Sequence, residues 1–208
     1  MYKILDFSMR ICVMIYFRYH NTNCFFIRNE TSGKLLAIDA GWPSTLYEYA
    51  RAMKTIDCNY EDITWTIVTH FHMDHAGLIT DFIEKGIRCF VFENQYNSID
   101  YMEKTILKNY TQYKKINKTK LEQINHTDFN KMLDLEGFPG EVIITDYHSK
   151  DSISYVTEKN EAIVGDLPPI MQGMPDDEPF KKNWEMIKNK GIKKIYPSHA
   201  EVFSLEGY

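Results

Sequence analysis

The sequence predicts an α/β (α+β) domain, and two observations carry that expectation. Short apolar runs rich in β-branched and aromatic residues recur along the chain, at 10–19, 23–28, 34–38, 64–69, 87–92, 141–146, 153–157, 161–165 and 194–197. Between them, helical patterns fill 44–56, 76–85, roughly 94–135 in pieces, and 179–190. With 208 residues, 44% apolar and 14% aromatic, the chain can bury about 70% of its unfolded surface in one core. No internal repeat or low-complexity linker interrupts it. A single domain over 1–208 is expected, with a helical insert at about 94–135.

Each element has a local reason. The apolar run 11–17 is short and flanked by Arg10 and Arg18 without a small-residue cleavage site, so it reads as a first strand rather than a signal peptide. Residues 29–33 (NETSG) have hairpin-turn chemistry and join two early strands. Residues 64–69 (TWTIVT) read as a buried strand, and the helical pattern after it stops at Lys85-Gly86, with glycine as the C′ residue. Asp39 follows the run at 34–38, Asp166 follows AIVG at 162–165, and His199 follows KIYP at 194–197. His148 lies between EVIITD at 141–146 and ISYVT at 153–157.

The stretch His70-Phe71-His72-Met73-Asp74-His75 packs four metal-ligand types into six residues at the end of a predicted strand, where α/β sheets commonly place ligand sites. Residues two apart on a helix do not face each other, so a helical His70/His72 pair could not share an ion. A fully extended segment would carry Asp74 roughly 13 Å from His70. A curled loop satisfies both limits, sending His70 and His72 to one metal and Asp74 and His75 to a second. The bland reading is four polar residues on a surface loop. One loop cannot complete two sites, and His148, Asp166 and His199 each sit just past a strand where one sheet edge could gather them. Singly, each is equally a turn residue, a helix cap or a hydrogen-bonded bystander.

In this order, Asp39 within AIDAG, HFHMDH, His148, Gly165-Asp166 and His199 resemble the metallo-β-lactamase superfamily in its dinuclear hydrolase form, similar to glyoxalase II and lactonase-like members. The resemblance spans about residues 10–200. It implies a four-layer αββα sandwich, with His70, His72 and His148 on a first metal and Asp74, His75 and His199 on a second. Asp166 would bridge them, and Asp39 would brace the histidine loop from behind. It also implies two divalent ions, zinc foremost, with manganese or iron accommodated by the same ligands.

Two such ions about 3.5–4 Å apart can share a water and lower its pKa from 15.7 toward ~7. At ~1.36 kcal/mol per unit, hydroxide then becomes roughly 12 kcal/mol less costly to form. Asp74 would orient that bridging hydroxide and accept its proton, which makes it the catalytic candidate. The expected function is therefore a metal-dependent hydrolase acting on a small ester, lactone, thioester or phosphodiester. The alternatives are an RNA-processing-type nuclease and a non-catalytic metal-binding module of the same fold.

Among relatives, the β-lactamases lack a bridging aspartate, so Asp166 argues against antibiotic hydrolysis. The glyoxalase II type carries a C-terminal helical domain, whereas nine residues follow His199 here. Iron persulfide dioxygenases use one metal and need no bridge. The quorum-quenching lactonases fit in size and ligands. Residues 147–154 (YHSKDSIS) depart from the glycine-rich HTPGH-like form common around the third histidine, with His126 as the fallback ligand.

A net charge of −5 gives no general attraction to nucleic acid or an anionic membrane, so a small-molecule partner is expected. Cys12, Cys24, Cys58 and Cys89 show no CxxC spacing, which favours reduced thiols and a cytoplasmic location. Residues 101–131 carry seven lysines against Glu103, Glu122 and Asp128, with Tyr101, Tyr110 and Tyr113 interleaved. That segment reads either as a lid presenting cations to an anionic substrate or as solvated helices whose tyrosines pack on the sandwich. Residues 168–174 (PPIMQGM) read either as pocket lining or as a loop closing the core.

Overall fold

Side chains on one strand alternate between two faces, and here the alternation divides the core into three layers. In the computed structural model, which describes residues 12–110, 112–173 and 176–208, the first sheet contains β1 (Cys12–Tyr19), β2 (Thr22–Asn29), β3 (Leu35–Ile38), β4 (Ile63–Ile67), β5 (Arg88–Phe92) and β6 (Glu122–Ile124), paired in that order. The second sheet runs β11 (Phe203–Ser204), β10 (Lys194–Pro197), β9 (Glu161–Gly165), β8 (Ile153–Val156) and β7 (Glu141–Ile144).

Cys24, Phe26, Leu35 and Ala37 face one way, against Tyr49 and Met53 of helix α1 (Leu46–Met53). Helices α2 (Met73–Ala76), α3 (Ile79–Glu84) and α4 (Ser98–Asn109) add Ala76, Phe82 and Ile106 to the same layer. Their strand neighbours Phe25, Ile27, Leu36 and Ile38 face the opposite way and meet Tyr155, Ile163 and Tyr196 of the second sheet. Phe129 and Leu133 of α5 (His126–Glu136) join that middle layer. Val156, Ala162 and Val164 complete the pattern by packing on Phe180, Trp184 and Ile187 of α6 (Glu178–Asn189). The result is an αββα sandwich. β3, covered on both faces, is the uninterrupted apolar run LLAI, as a strand buried on both sides should be.

The turn at 29–33 forms as its chemistry predicts. Asn29 Oδ1 accepts from the backbone of Thr31 and Ser32, and Gly33 takes the positive φ of +72° that closes the turn. Strand 64–69 is shorter than expected, ending at Ile67 and leaving Val68 and Thr69 for the loop that follows. The expected helix over 76–85 instead begins at Met73 and breaks at Gly77, so Asp74 and His75 lie on a short helix rather than on a loop. The His72 carbonyl starts that helix by accepting from the His75 and Ala76 amides.

The segment 94–135 is not purely helical. It includes β6, which adds to the parallel run β3–β6, and three residues of mostly polar sequence gave no periodic signal for it. Its tyrosines divide. Tyr113 is buried and donates to Glu103, Tyr110 packs on the same layer, and Tyr101 stands 73% exposed. Of its lysines, Lys114 pairs with Asp81 and Glu84, Lys118 with Asp100, and Lys131 with Asp128. Residues 10 and 11 of the first predicted strand, and Met174 of the 168–174 segment, fall outside the described residues.

Candidate metal centre

The site sits where both sheets end. Asp39 follows β3, His70 to His75 follow β4, Asp166 follows β9, His199 follows β10, and His148 lies in the β7–β8 connection. β3 and β4 are parallel neighbours in one sheet, as are β9 and β10 in the other, so four carboxyl ends converge on one edge of the sandwich. Close approach of the two sheets requires Gly165. Its φ is +57°, and a Cβ there would stand 2.8 Å from Cβ and Oγ1 of Thr69.

Two clusters result: His70, His72, His148 and Asp166 in one, and Asp74, His75 and His199 in the other. In the first, His70 Nε2 lies 2.9 Å and His148 Nε2 3.3 Å from His72 Nδ1. Asp166 Oδ2 lies 3.7 Å from His70 Nε2 and 3.6 Å from His148 Nε2. In the second, Asp74 Oδ2 is 3.0 Å from His199 Nε2 and 3.4 Å from His75 Nε2. Asp166 Oδ1 is 3.2 Å from both of those nitrogens. The two oxygens of Asp166 thus address different clusters.

Around a zinc ion with ligands about 2.0–2.1 Å away, tetrahedral neighbours stand about 3.3 Å apart. The observed spacings match that edge length. His75 Nε2 and Asp166 Oδ1 are also buried without a hydrogen-bond partner, which a native interior rarely tolerates unless something else satisfies them. The donor set of imidazoles and carboxylates suits zinc, iron or manganese.

Partners behind the rings fix which nitrogen is presented. His75 Nδ1 donates to Asp39 Oδ2 at 2.9 Å, and His199 Nδ1 donates to the Asn21 carbonyl at 2.8 Å. His70 Nδ1 is 3.2 Å from Thr69 Oγ1. All three then turn Nε2 inward. Asp39 is fully buried and holds a positive φ of +73°, an uncommon conformation for a non-glycine residue. Its carboxylate accepts from the Thr69 amide at 2.7 Å and from the Thr69 hydroxyl, and lies 3.5 Å from Ser198 Oγ beside His199.

Protonation divides the clusters. Burial, reinforced by neighbouring His75, holds His70 well below the ordinary histidine pKa, and burial likewise lowers His148. Burial alone would lower His75 too, but Asp39, Asp166 and Asp74 outweigh it and raise its pKa well above the usual range. The adjacent carboxylates of Asp166 and Asp74 push His199 up to about 10. Burial would raise Asp74 and Asp166, yet His199 and His75 overcome it and hold both well below the carboxylate range.

Several residues here carried no signal in the sequence. Asp151 Oδ2 accepts from the Phe71 amide at 2.7 Å, inside the histidine loop, and Gln95 donates to the carbonyls of Val68 and Asp151. The turn after His148 lacks the expected glycines, and hydroxyls replace them. Ser152 Oγ accepts from the Ser149 amide and pairs with Ser149 Oγ at 2.8 Å, while the Ser152 amide donates to the Ser149 carbonyl. His126, the fallback ligand, is exposed at the start of α5 and joins neither cluster. Tyr147 donates to Asp177 and Tyr196 to Glu161. A pocket of about 300 Å³ opens beside the centre, lined by His72, Met73, Asp74, Tyr101, Met102 and Thr105.

The profile of the metallo-beta-lactamase superfamily matches residues 18–87, the stretch carrying Asp39 and the His70–His75 motif. The beta-lactamase-like protein 2 homolog of Caenorhabditis elegans is 22% identical over 193 residues. That match takes in 89% of this chain but spans only 58% of that protein's length. Among solved structures, TTHA1623 in a di-iron-bound form superposes with a TM-score of 0.68 at 14% identity, covering 93% of this chain and 94% of its own. The metallo-beta-lactamase FIM-1 from Pseudomonas aeruginosa, in a mono-zinc form, gives 0.62 at 13% identity, covering 93% and 84%. Identities this low carry the fold.

Proposed function

We propose that the chain, whose residues 18–87 match the metallo-β-lactamase superfamily profile, is a metal-dependent hydrolase with a dinuclear centre acting on a small-molecule substrate. The observation that carries the reading is Asp166, whose Oδ2 faces one cluster and whose Oδ1 faces the other. His70 Nε2, His72 Nδ1 and His148 Nε2 would hold one ion; Asp74, His75 Nε2 and His199 Nε2 would hold the second. Zinc is the proposed metal. When bound, such ions supply Lewis acidity and a water that ionises near neutral pH.

The chain's own residues do the rest. Asp74, shared between the ligand cluster and the pocket wall, orients the attacking water and takes its proton on the carboxylate. Asp39 keeps the His75 ring turned so that Nε2 faces inward. Tyr101, Met73 and Met102 give the pocket an apolar wall that holds the substrate against the centre and limits water. Among the described residues no lysine or arginine lines that pocket, which favours an uncharged ester, lactone or thioester over an anionic substrate. A cytoplasmic setting is proposed from the buried thiols of Cys24, Cys58 and Cys89. No helix among the described residues is long and apolar enough to cross a membrane.

The test is a panel of ester, lactone, thioester and phosphodiester substrates run on wild type and His72→Ala. Turnover of one class, lost by orders of magnitude in His72→Ala together with metal content while the fold survives, is the expected result. Near-wild-type turnover in the variant would sink the reading.

A further inference from the structure

The turn between β1 and β2 is tied into the metal centre, and its ties all go to one half of it. Thr22, the first residue of β2, is fully buried. Its Oγ1 lies 3.1 Å from Asp74 Oδ2 and 3.2 Å from Trp42 Nε1. An indole N–H can only donate, so it occupies a lone pair on the hydroxyl and leaves the single hydroxyl proton for Asp74. The oxygen receiving it is the one that lies against His199 Nε2 and His75 Nε2.

The neighbouring residues act on His199. The Asn21 carbonyl accepts from His199 Nδ1. Asn23, also buried, donates from its side chain to the carbonyls of Pro197 (2.9 Å) and Ala200 (3.4 Å), and from its amide to Ser198 (2.8 Å). Residues 21–23 therefore hold the Asp74 carboxylate, the His199 ring and the backbone on both sides of His199. Trp42 is itself fixed, its amide donating to Tyr19 Oη at 2.6 Å. Among the described residues, the side-chain hydrogen bonds of His70, His72 and His148 go to Thr69 and to one another, none to this turn.

We propose that Thr22 is a positioning residue for the second metal site, setting that ion's affinity by directing a hydrogen bond onto the metal-facing oxygen of Asp74, with Trp42 fixing the direction of that bond. A carboxylate held in this way gives up little rotational freedom when it binds, and outer partners of this kind typically govern metal affinity. The inference rests on the two-ion reading above.

The test is competitive titration of Zn²⁺ against a chromophoric chelator, with Co²⁺ visible spectra in parallel, on wild type, Thr22→Val, Thr22→Ser and Trp42→Phe. Valine keeps the β-branched shape and removes the hydroxyl. The second ion should weaken by ~10–100-fold in Thr22→Val, with its Co²⁺ bands altered and the first ion's affinity unchanged. Serine should restore the second ion, and Trp42→Phe should weaken it by a smaller factor. An unchanged second ion in Thr22→Val, or equal weakening of both ions, overturns the proposal. Should Thr22→Val fail to fold, an unchanged second ion in Trp42→Phe overturns it. Wild-type protein that takes up fewer than two ions refutes the dinuclear reading itself, a result separate from any difference between the variants.

Discussion

The His70–His72–His148 cluster and the Asp74–His75–His199 cluster share Asp166, but they are prepared for an ion in opposite ways. In the first, burial keeps His70 and His148 neutral, so their lone pairs stand ready. In the second, the carboxylates of Asp39, Asp74 and Asp166 draw protons onto His75 and His199. The metal-free second cluster thus carries its own countercharge as protons, and an ion must displace them. The supports differ as well. The first cluster leans on backbone held by Asp151 and on the Ser149–Ser152 turn, while the second leans on a buried carboxylate and a hairpin. Seven ligand-type side chains at one edge therefore form two clusters of unequal character.

The largest effect is expected at the shared residue. Asp166→Ala should remove the common ligand, weaken both ions beyond the ~10–100-fold that loss of an outer partner costs, and lower kcat by orders of magnitude. Metal titration and steady-state kinetics check it, and selective loss of a single ion would mean that Asp166 serves one cluster only. Asp39→Asn should separate the halves. Asparagine keeps the shape and tolerates the positive φ, but it removes the carboxylate that orients the His75 ring and strengthens Nε2 as a ligand, so the second ion should weaken by ~10–100-fold and the first by less.

pH separates them further. Displacing a proton makes binding about tenfold weaker for each pH unit below that group's pKa. The second ion should therefore bind progressively more tightly up to about pH 10, the value to which His199 is raised. The first ion should be nearly indifferent above the ordinary histidine pKa of about 6.5. Calorimetry in buffers of different ionisation enthalpy would count the protons released. The same shifts set the stability of metal-free protein. His199, raised on folding, contributes stability that is complete below about 6.5 and lost as pH rises through about 10. Asp74 and Asp166, held low, contribute stability present above about 3.9 and lost as pH falls below it. Thermal melts of metal-free protein should fall between pH 7 and 10, and metal-loaded protein should resist the fall.

The smallest effect belongs to Ser152→Ala, which opens the turn behind His148. It should cost about 1 kcal/mol of stability and loosen only the first ion, measurable by chemical denaturation and the same titration.

What could be read from the sequence followed from local spacing. HFHMDH places its ligand types within six residues, and Asp39, Asp166 and His199 each follow a run with strand periodicity, so the sheet edge that gathers them was visible in advance. Thr22 and Asp151 were not. Thr22 meets Asp74 across 52 positions and Asp151 meets the Phe71 amide across 80, contacts that arise only once the sheets pack. A buried threonine at a strand start has no pattern to distinguish it from any other. The serine-built turn at His148 was hidden for another reason: hydroxyl bonds do there what glycine does elsewhere, so the absence of glycine looked like the absence of the turn. Strand β6 and the split of the helix at Gly77 escaped because each is too short to show a period.

The most direct measurement is the metal content of protein purified without added metal or chelator, followed by titration of the metal-free form. Two unequal sites predict close to two divalent ions per chain, binding in sequence, with protons released mainly by the second. One ion per chain, or two that bind alike without a difference in proton release, would contradict it.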